Sequence, residues 1–297
     1  MKITEKRREI IKLVIVFVIM LVAAIALMNG VFWVLYYLGI EEPLIVNALL
    51  NELCMLVPAF VYIKMKGEKL TDSLGFHKIK VSTVFLTLIL AVLSVPVYVF
   101  ANTFSQLFVP NAMAQASSEL TAESTLGVSM LIVTMIAPIV EEICFRGFFS
   151  RQFKGLIGIG FAAVVSAVMF GIFHMNINQF CYAFVLGVIF ALADYAANSI
   201  WPSIIMHMLI NSFGMIVMYI ATIASEAEGM DFAEAAESVR TTGNTMLIYA
   251  IVSFVISIFS VLLIRVVLRA IARRQNNEEA LEAFTSKKHR TQELQEA

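Results

Sequence analysis

Five polar side chains stand out for the chemistry they could do together: Glu141, Glu142, His174, His207 and Asn211. A carboxylate and an imidazole can activate water, and an imidazole and an amide can hold the charge that grows on an attacked carbonyl oxygen. Together they could hydrolyse a peptide bond. All five sit in apolar stretches. An ionisable group at membrane depth costs about 2.5–3.5 kcal/mol on insertion scales, so such groups default to a functional reading.

Helical spacing separates their roles. Residues four apart share a face, so Glu142 can reach Arg146, with acid before base in the favourable order. Glu141 is turned about 100° away and has no local cation. One carboxylate is thus neutralised by its own helix, and the other is left free to act as a base. His207 and Asn211 are also four apart and project side by side, as two donors suited to an oxyanion. Phe170 lies one turn before His174, within packing reach of its ring. A single buried His or Asn is often only interhelical glue. Two acids, two histidines and an amide on three neighbouring stretches form a constellation.

The elements that must position these groups are membrane helices. Of 297 residues, 60% are apolar and 14% charged, against about 45–50% and about 25% in soluble domains. A span needs about 20 mostly apolar residues. Eight stretches qualify, near 13–40, 43–63, 81–109, 128–149, 158–175, 180–197, 201–222 and 244–268. The second is the most polar, with Asn47, Asn51 and Glu52. The first follows a basic start and is too long for a cleaved signal, so it reads as a retained anchor. Cys54, Cys144 and Cys181 are scattered in apolar segments and read as small buried hydrophobes.

Loop charges fix an orientation. Cytoplasmic loops collect Lys and Arg. With the N-terminus inside, segments 1–12, 64–80, 146–157, 194–200 and 265–297 hold 20 of the 21 basic residues, and Arg240 alone falls outside. The other loops, at 41–42, 111–125 and 225–242, are acidic or neutral. The expected fold is an all-α polytopic bundle of about eight transmembrane helices with both ends cytoplasmic. It divides into spans one to three (1–124), a core holding the polar residues (125–222), and an external loop, last span and charged tail (223–297). The net charge of −1 gives no reason to expect nucleic acid.

Glu141-Glu142-x-x-x-Arg146, Phe170-x-x-x-His174 and His207-x-x-x-Asn211, in this order over about 125–220, resemble the motifs of the type II CAAX prenyl protease family. This group is also known as the Abi or CPBP intramembrane proteases. The resemblance implies a helical intramembrane core whose cavity is reached from the cytosolic side of a bacterial plasma membrane. It implies that Glu141 and His174 activate water, that His207 and Asn211 steady the oxyanion, and that Glu142, Arg146 and Phe170 support them. Gly187 matches a small residue of the sixth span, suited to close helix packing. Asn176, Asn178 and Gln179 follow His174 and are candidates for the cavity wall. The expected partners are a membrane-associated or lipidated peptide and the bilayer.

Two matters stay open at the level of sequence. Glu141, His174 and His207 could hold a zinc ion, or water could be activated without metal. There is no His-Glu-x-x-His helix. The second matter is depth. If every span runs straight, His174 lies about eight residues, or about 12 Å, from the level of Glu141. The site assembles only if the fifth span is displaced, tilted or started late after 155–160. Two other functions compete. One is a proton-coupled transporter, against which no repeat relates the two halves. The other is a non-catalytic scaffold or immunity protein, a role linked to this family through bacteriocin self-protection.

Overall fold

The computed structural model describes residues 3–39, 44–121 and 126–285, without the side chains of 44–49, 118, 119 and 285. Glu41, Glu42 and the tail cations Lys287, Lys288 and Arg290 lie outside that description, as does the side chain of Asn47. The described residues form helices joined by short turns, with no strand among them.

In chain order the helices are α1 (Ile3–Leu38), α2 (Leu44–Met65), α3 (Leu70–Leu74), α4 (Val81–Gln106), α5 (Ala112–Gln115) and α6 (Ser117–Thr121). Then come α7 (Leu126–Ile157), α8 (Ile159–Phe173), α9 (Ile177–Ala197), α10 (Trp201–Ala227), α11 (Phe232–Thr241), α12 (Thr245–Gln275) and α13 (Glu278–Thr285). Six of them, α1, α4, α7, α9, α10 and α12, are long and apolar enough to cross a membrane. The protein is an integral, multi-pass, all-α membrane bundle. Each expected span falls on a helix, and the two outside the six are α2, the polar one, and α8, with only 15 residues.

Large apolar side chains such as Phe85, Val92, Ile251 and Phe259 stand on the outer surface, where lipid can cover them. Inward faces carry small groups. α12 packs along α4, and Thr103 and Ser253 hydrogen-bond across that contact at 3.2 Å. α8 packs against α9, and α9 against α4.

α7 changes register twice. Ile132–Ile136 and Ile143–Ser150 are π-helical, and Ala137–Glu142 between them is α-helical. Pro138 explains the first change: it has no N–H, so the ladder cannot continue unbroken past it. Such π turns are rare and recur at functional positions. Gly158, at φ +77°, then breaks the chain before α8. Fifteen residues rise about 22 Å, short of the roughly 30 Å hydrocarbon core. His174, at the end of α8, therefore stops within the bundle. Glu141 and His174 nevertheless border one cavity, so the two do meet despite the offset expected for straight spans.

The turn that follows is tight. Met175 adopts φ +51°, a left-handed conformation rare for such a side chain. Asn176 then caps α9, its side chain accepting from the Gln179 N–H at 3.1 Å. At the opposite turn, Asp194 of α9 accepts from Ser203 N–H (2.8 Å) and Oγ–H (2.7 Å), which holds the first turn of α10.

Candidate active site

Glu142 is fully buried. Its Oε1 faces an Arg146 Nη1 at 3.1 Å, the ion pair expected from their spacing. Arg146 is buried too, and its guanidinium lies over the rings of Phe170 (4.2 Å) and Phe190 (5.4 Å). The aromatic faces take the place of further oxygens around the cation. Gly187 makes room for it. A Cβ there would stand 2.8 Å from Arg146 Nη2 and 2.9 Å from Ala167 Cβ.

The same Glu142 oxygen also accepts from His207 Nδ1–H at 2.8 Å. This cross-helix contact lies beyond what spacing within one helix can reveal. It fixes the ring, whose Nε2 then faces Glu141 Oε2 at 3.6 Å. His207 thus sits between two carboxylates, held by one and directed at the other. His174 is held differently. Its Nδ1–H donates to the Phe170 carbonyl at 2.9 Å, so Nε2 of the neutral ring is an acceptor. Phe170 packs edge-on against both imidazoles, at 4.8 Å and 5.8 Å.

Asn211 donates through Nδ2 to the Val133 carbonyl at 2.9 Å. In π register the N–H of residue 138 would bond that carbonyl, as the N–H of Ala137 bonds Ile132. Residue 138 is proline and has no N–H to give. Asn211 supplies the missing donor and is itself oriented by it.

Glu141, His174, His207, Asn211 and Phe170 line one cavity of about 550 Å³. That volume lies within the roughly 300–1,000 Å³ range of ligand sites. Of the three polar residues after His174, Gln179 lines the cavity. Asn176 is spent on its cap. Asn178 is buried, its Oδ1 accepting from Ala112 N–H (3.1 Å) while Nδ2 donates to Asn102 Oδ1 and Ser105 Oγ (2.8 Å each). Among the described residues, no group of three or more His, Cys, Asp or Glu lies close enough together to hold a metal ion.

The cavity extends from Glu141 towards Asn111, Met113, Leu120 and Phe232, away from the basic segments. The direction follows from where α5, α6 and α11 pack, a tertiary matter invisible in the three motifs.

Glu52 of α2 joins this neighbourhood without having been singled out for chemistry. It is buried, and its Oε2 has no hydrogen-bond partner. Cys144 Sγ–H donates to the Met55 carbonyl at 3.8 Å. Met55 follows Glu52 by three residues, as Cys144 follows Glu141, so the two acids sit on facing sides of packed helices. A lone acid in the second span was the available signal.

Residues 123–213 match the family model described as type II CAAX prenyl endopeptidase Rce1-like. The chain is also similar to YdiL of Bacillus subtilis (strain 168), named as a candidate membrane peptidase, with 28% identity over 88 residues. That alignment covers 30% of this chain and 36% of the relative, so the chain spans about a third of the length of the curated relative it matches. No solved structure matches it. The matched segment contains all five polar residues, the two π turns and the short α8, and over that segment the chain is similar to the type II CAAX prenyl endopeptidase Rce1-like family.

Proposed function

We propose that the protein is an intramembrane endopeptidase in which Glu141 and His174 activate water. The observation that carries this reading is a single cavity lined by the Glu141 carboxylate, an imidazole with an accepting Nε2, and the His207–Asn211 pair. The Glu141 carboxylate takes a proton from water, aided by His174 Nε2 as acceptor. The water oxygen bonds to the peptide carbon, and the carbonyl electron pair moves onto oxygen. His207 and Asn211 donate to that oxyanion. A proton on His207 Nε2 makes the ring cationic, and Glu142 below it balances that charge while Arg146 holds Glu142 in place. The carbon–nitrogen bond then breaks, its electron pair leaves with nitrogen, and the nitrogen takes the proton stored on Glu141. The peptidase description of the matching family and of the Bacillus relative supports the same class of reaction.

The test uses Glu141→Ala and His174→Ala in the full chain. Both are expected to insert normally and to lose cleavage of a membrane-associated substrate. Cleavage retained in both variants would refute this mechanism. If Glu141 variants keep a cellular phenotype, binding and not chemistry is the function.

A further inference from the structure

We propose, resting on the peptidase reading, that the cavity is entered from the membrane face opposite the cytoplasm, and that its substrate is an uncharged, apolar peptide segment presented there. The two ends of the bundle differ in charge. At one end Lys66 bonds Gln152 at 3.0 Å, Lys154 pairs with Glu279 at 3.1 Å, and Lys80 donates to the Arg274 carbonyl. This end gathers the basic segments and is cytoplasmic by the rule of positive loops. At the other end, α11 carries Glu234 and Glu237, with Asp231 as its cap and Arg240 paired to Glu237.

The site communicates with the second end. Its cavity of about 550 Å³ runs from Glu141 to Asn111, Met113 and Phe232. No lining residue comes from the basic segments. Towards the basic end, Phe145, Phe148, Phe149 and Phe153 are fully buried and close the way. The void beyond Arg146, bordered by Arg151 and Lys154, holds about 30 Å³, room for water and not for peptide.

The lining also limits the occupant. No Lys or Arg borders the cavity, so a C-terminal carboxylate would find no guanidinium or ammonium partner there. Gln179, beside the helix-capping Asn111 and the Asn178-bound Asn102, offers an amide that suits a peptide backbone. On one flank the wall is formed by Phe213 and Val217, each about half exposed. That flank lets an apolar segment enter sideways from lipid. The fitting substrate is therefore cut within its chain, near the outer face, and not beside a free terminal carboxylate in the cytosol.

The test has two arms on the full chain in its membrane. A membrane-impermeant maleimide is applied to Met113→Cys in intact cells and in inverted vesicles, with the parent chain as the blank for Cys54 and Cys181. Labelling in cells and its loss in inverted vesicles is expected. Labelling that needs inverted vesicles, or fails in both, overturns the proposal. In the second arm, new peptide termini in the membrane proteome are compared between the parent and Glu141→Gln at equal membrane levels. Lost cuts are expected on the outer side of substrate spans. Lost cuts on the cytoplasmic side overturn this proposal and leave the peptidase reading intact, whereas no lost cut removes the peptidase reading and this proposal with it.

Discussion

Replacing Arg146 by methionine strips Glu142 of its cation while keeping an apolar side chain between Phe170 and Phe190. At 3.1 Å the pair interacts with about 5 kcal/mol at an effective dielectric constant of about 20. Breaking one partner of a buried pair generally costs about 3–5 kcal/mol, because the other charge stays behind unpaired. R146M should therefore lose about 3–5 kcal/mol of stability, or roughly 6–20 °C at about 2–4 °C per kcal/mol for large domains. The double variant E142Q/R146M removes both charges, and the amide oxygen that E142Q introduces can still accept from His207. It should recover most of the lost stability. Thermal unfolding of the purified protein in one detergent reads both effects. Cleavage should stay low in the double variant, since the charge that balances a cationic His207 is gone. The reasoning is refuted if R146M lies within about 1 kcal/mol of the parent, or if the double variant is as unstable as the single one.

Asn211→Ala removes an oxyanion donor and leaves the Val133 carbonyl unpaired; kcat should fall about 10²-fold, with a stability loss of about 1–3 kcal/mol, as read by cleavage rate and unfolding. Gly187→Ala would ordinarily gain about 1 kcal/mol within a helix, but the contacts with Ala167 and Arg146 reverse the sign, and a loss of about 1–3 kcal/mol is expected on thermal unfolding. Glu52→Met replaces a buried carboxyl whose Oε2 has no partner, and should raise stability by about 1–3 kcal/mol in the same assay; an unchanged midpoint would mean the carboxyl is satisfied in the membrane.

What could be read from the chain followed its local periodicities. Glu142 and Arg146 share a helix face, so their ion pair was predictable from four-residue spacing. The spans followed from apolar length, and the basic segments do gather at one end, through contacts such as Lys154–Glu279. The His207–Glu142 bond was not legible, because it joins residues 65 positions apart whose meeting depends on how α7 and α10 pack. Asn211 read as a free donor. Its hold on Val133 appears only once the π register around Pro138 is known. His174 seemed too far from the level of Glu141 because the fifth span was drawn from 158 to 175 as a full crossing, whereas the described helix has 15 residues. Asn176 and Asn178 follow His174 just as Gln179 does, yet the cap and the contact with α4 claim them, and composition cannot distinguish the three.

The double change of register in α7 divides that helix into three rotational phases. In an α-helix each residue turns 100°, and a π turn holds back the rotation by roughly one residue's worth. A lipid-exposure scan along 126–157 should therefore not fit a single sine wave. Its maxima should slip at 132–136 and again at 143–150, leaving Glu141 and Glu142 in a short stretch with a phase of its own.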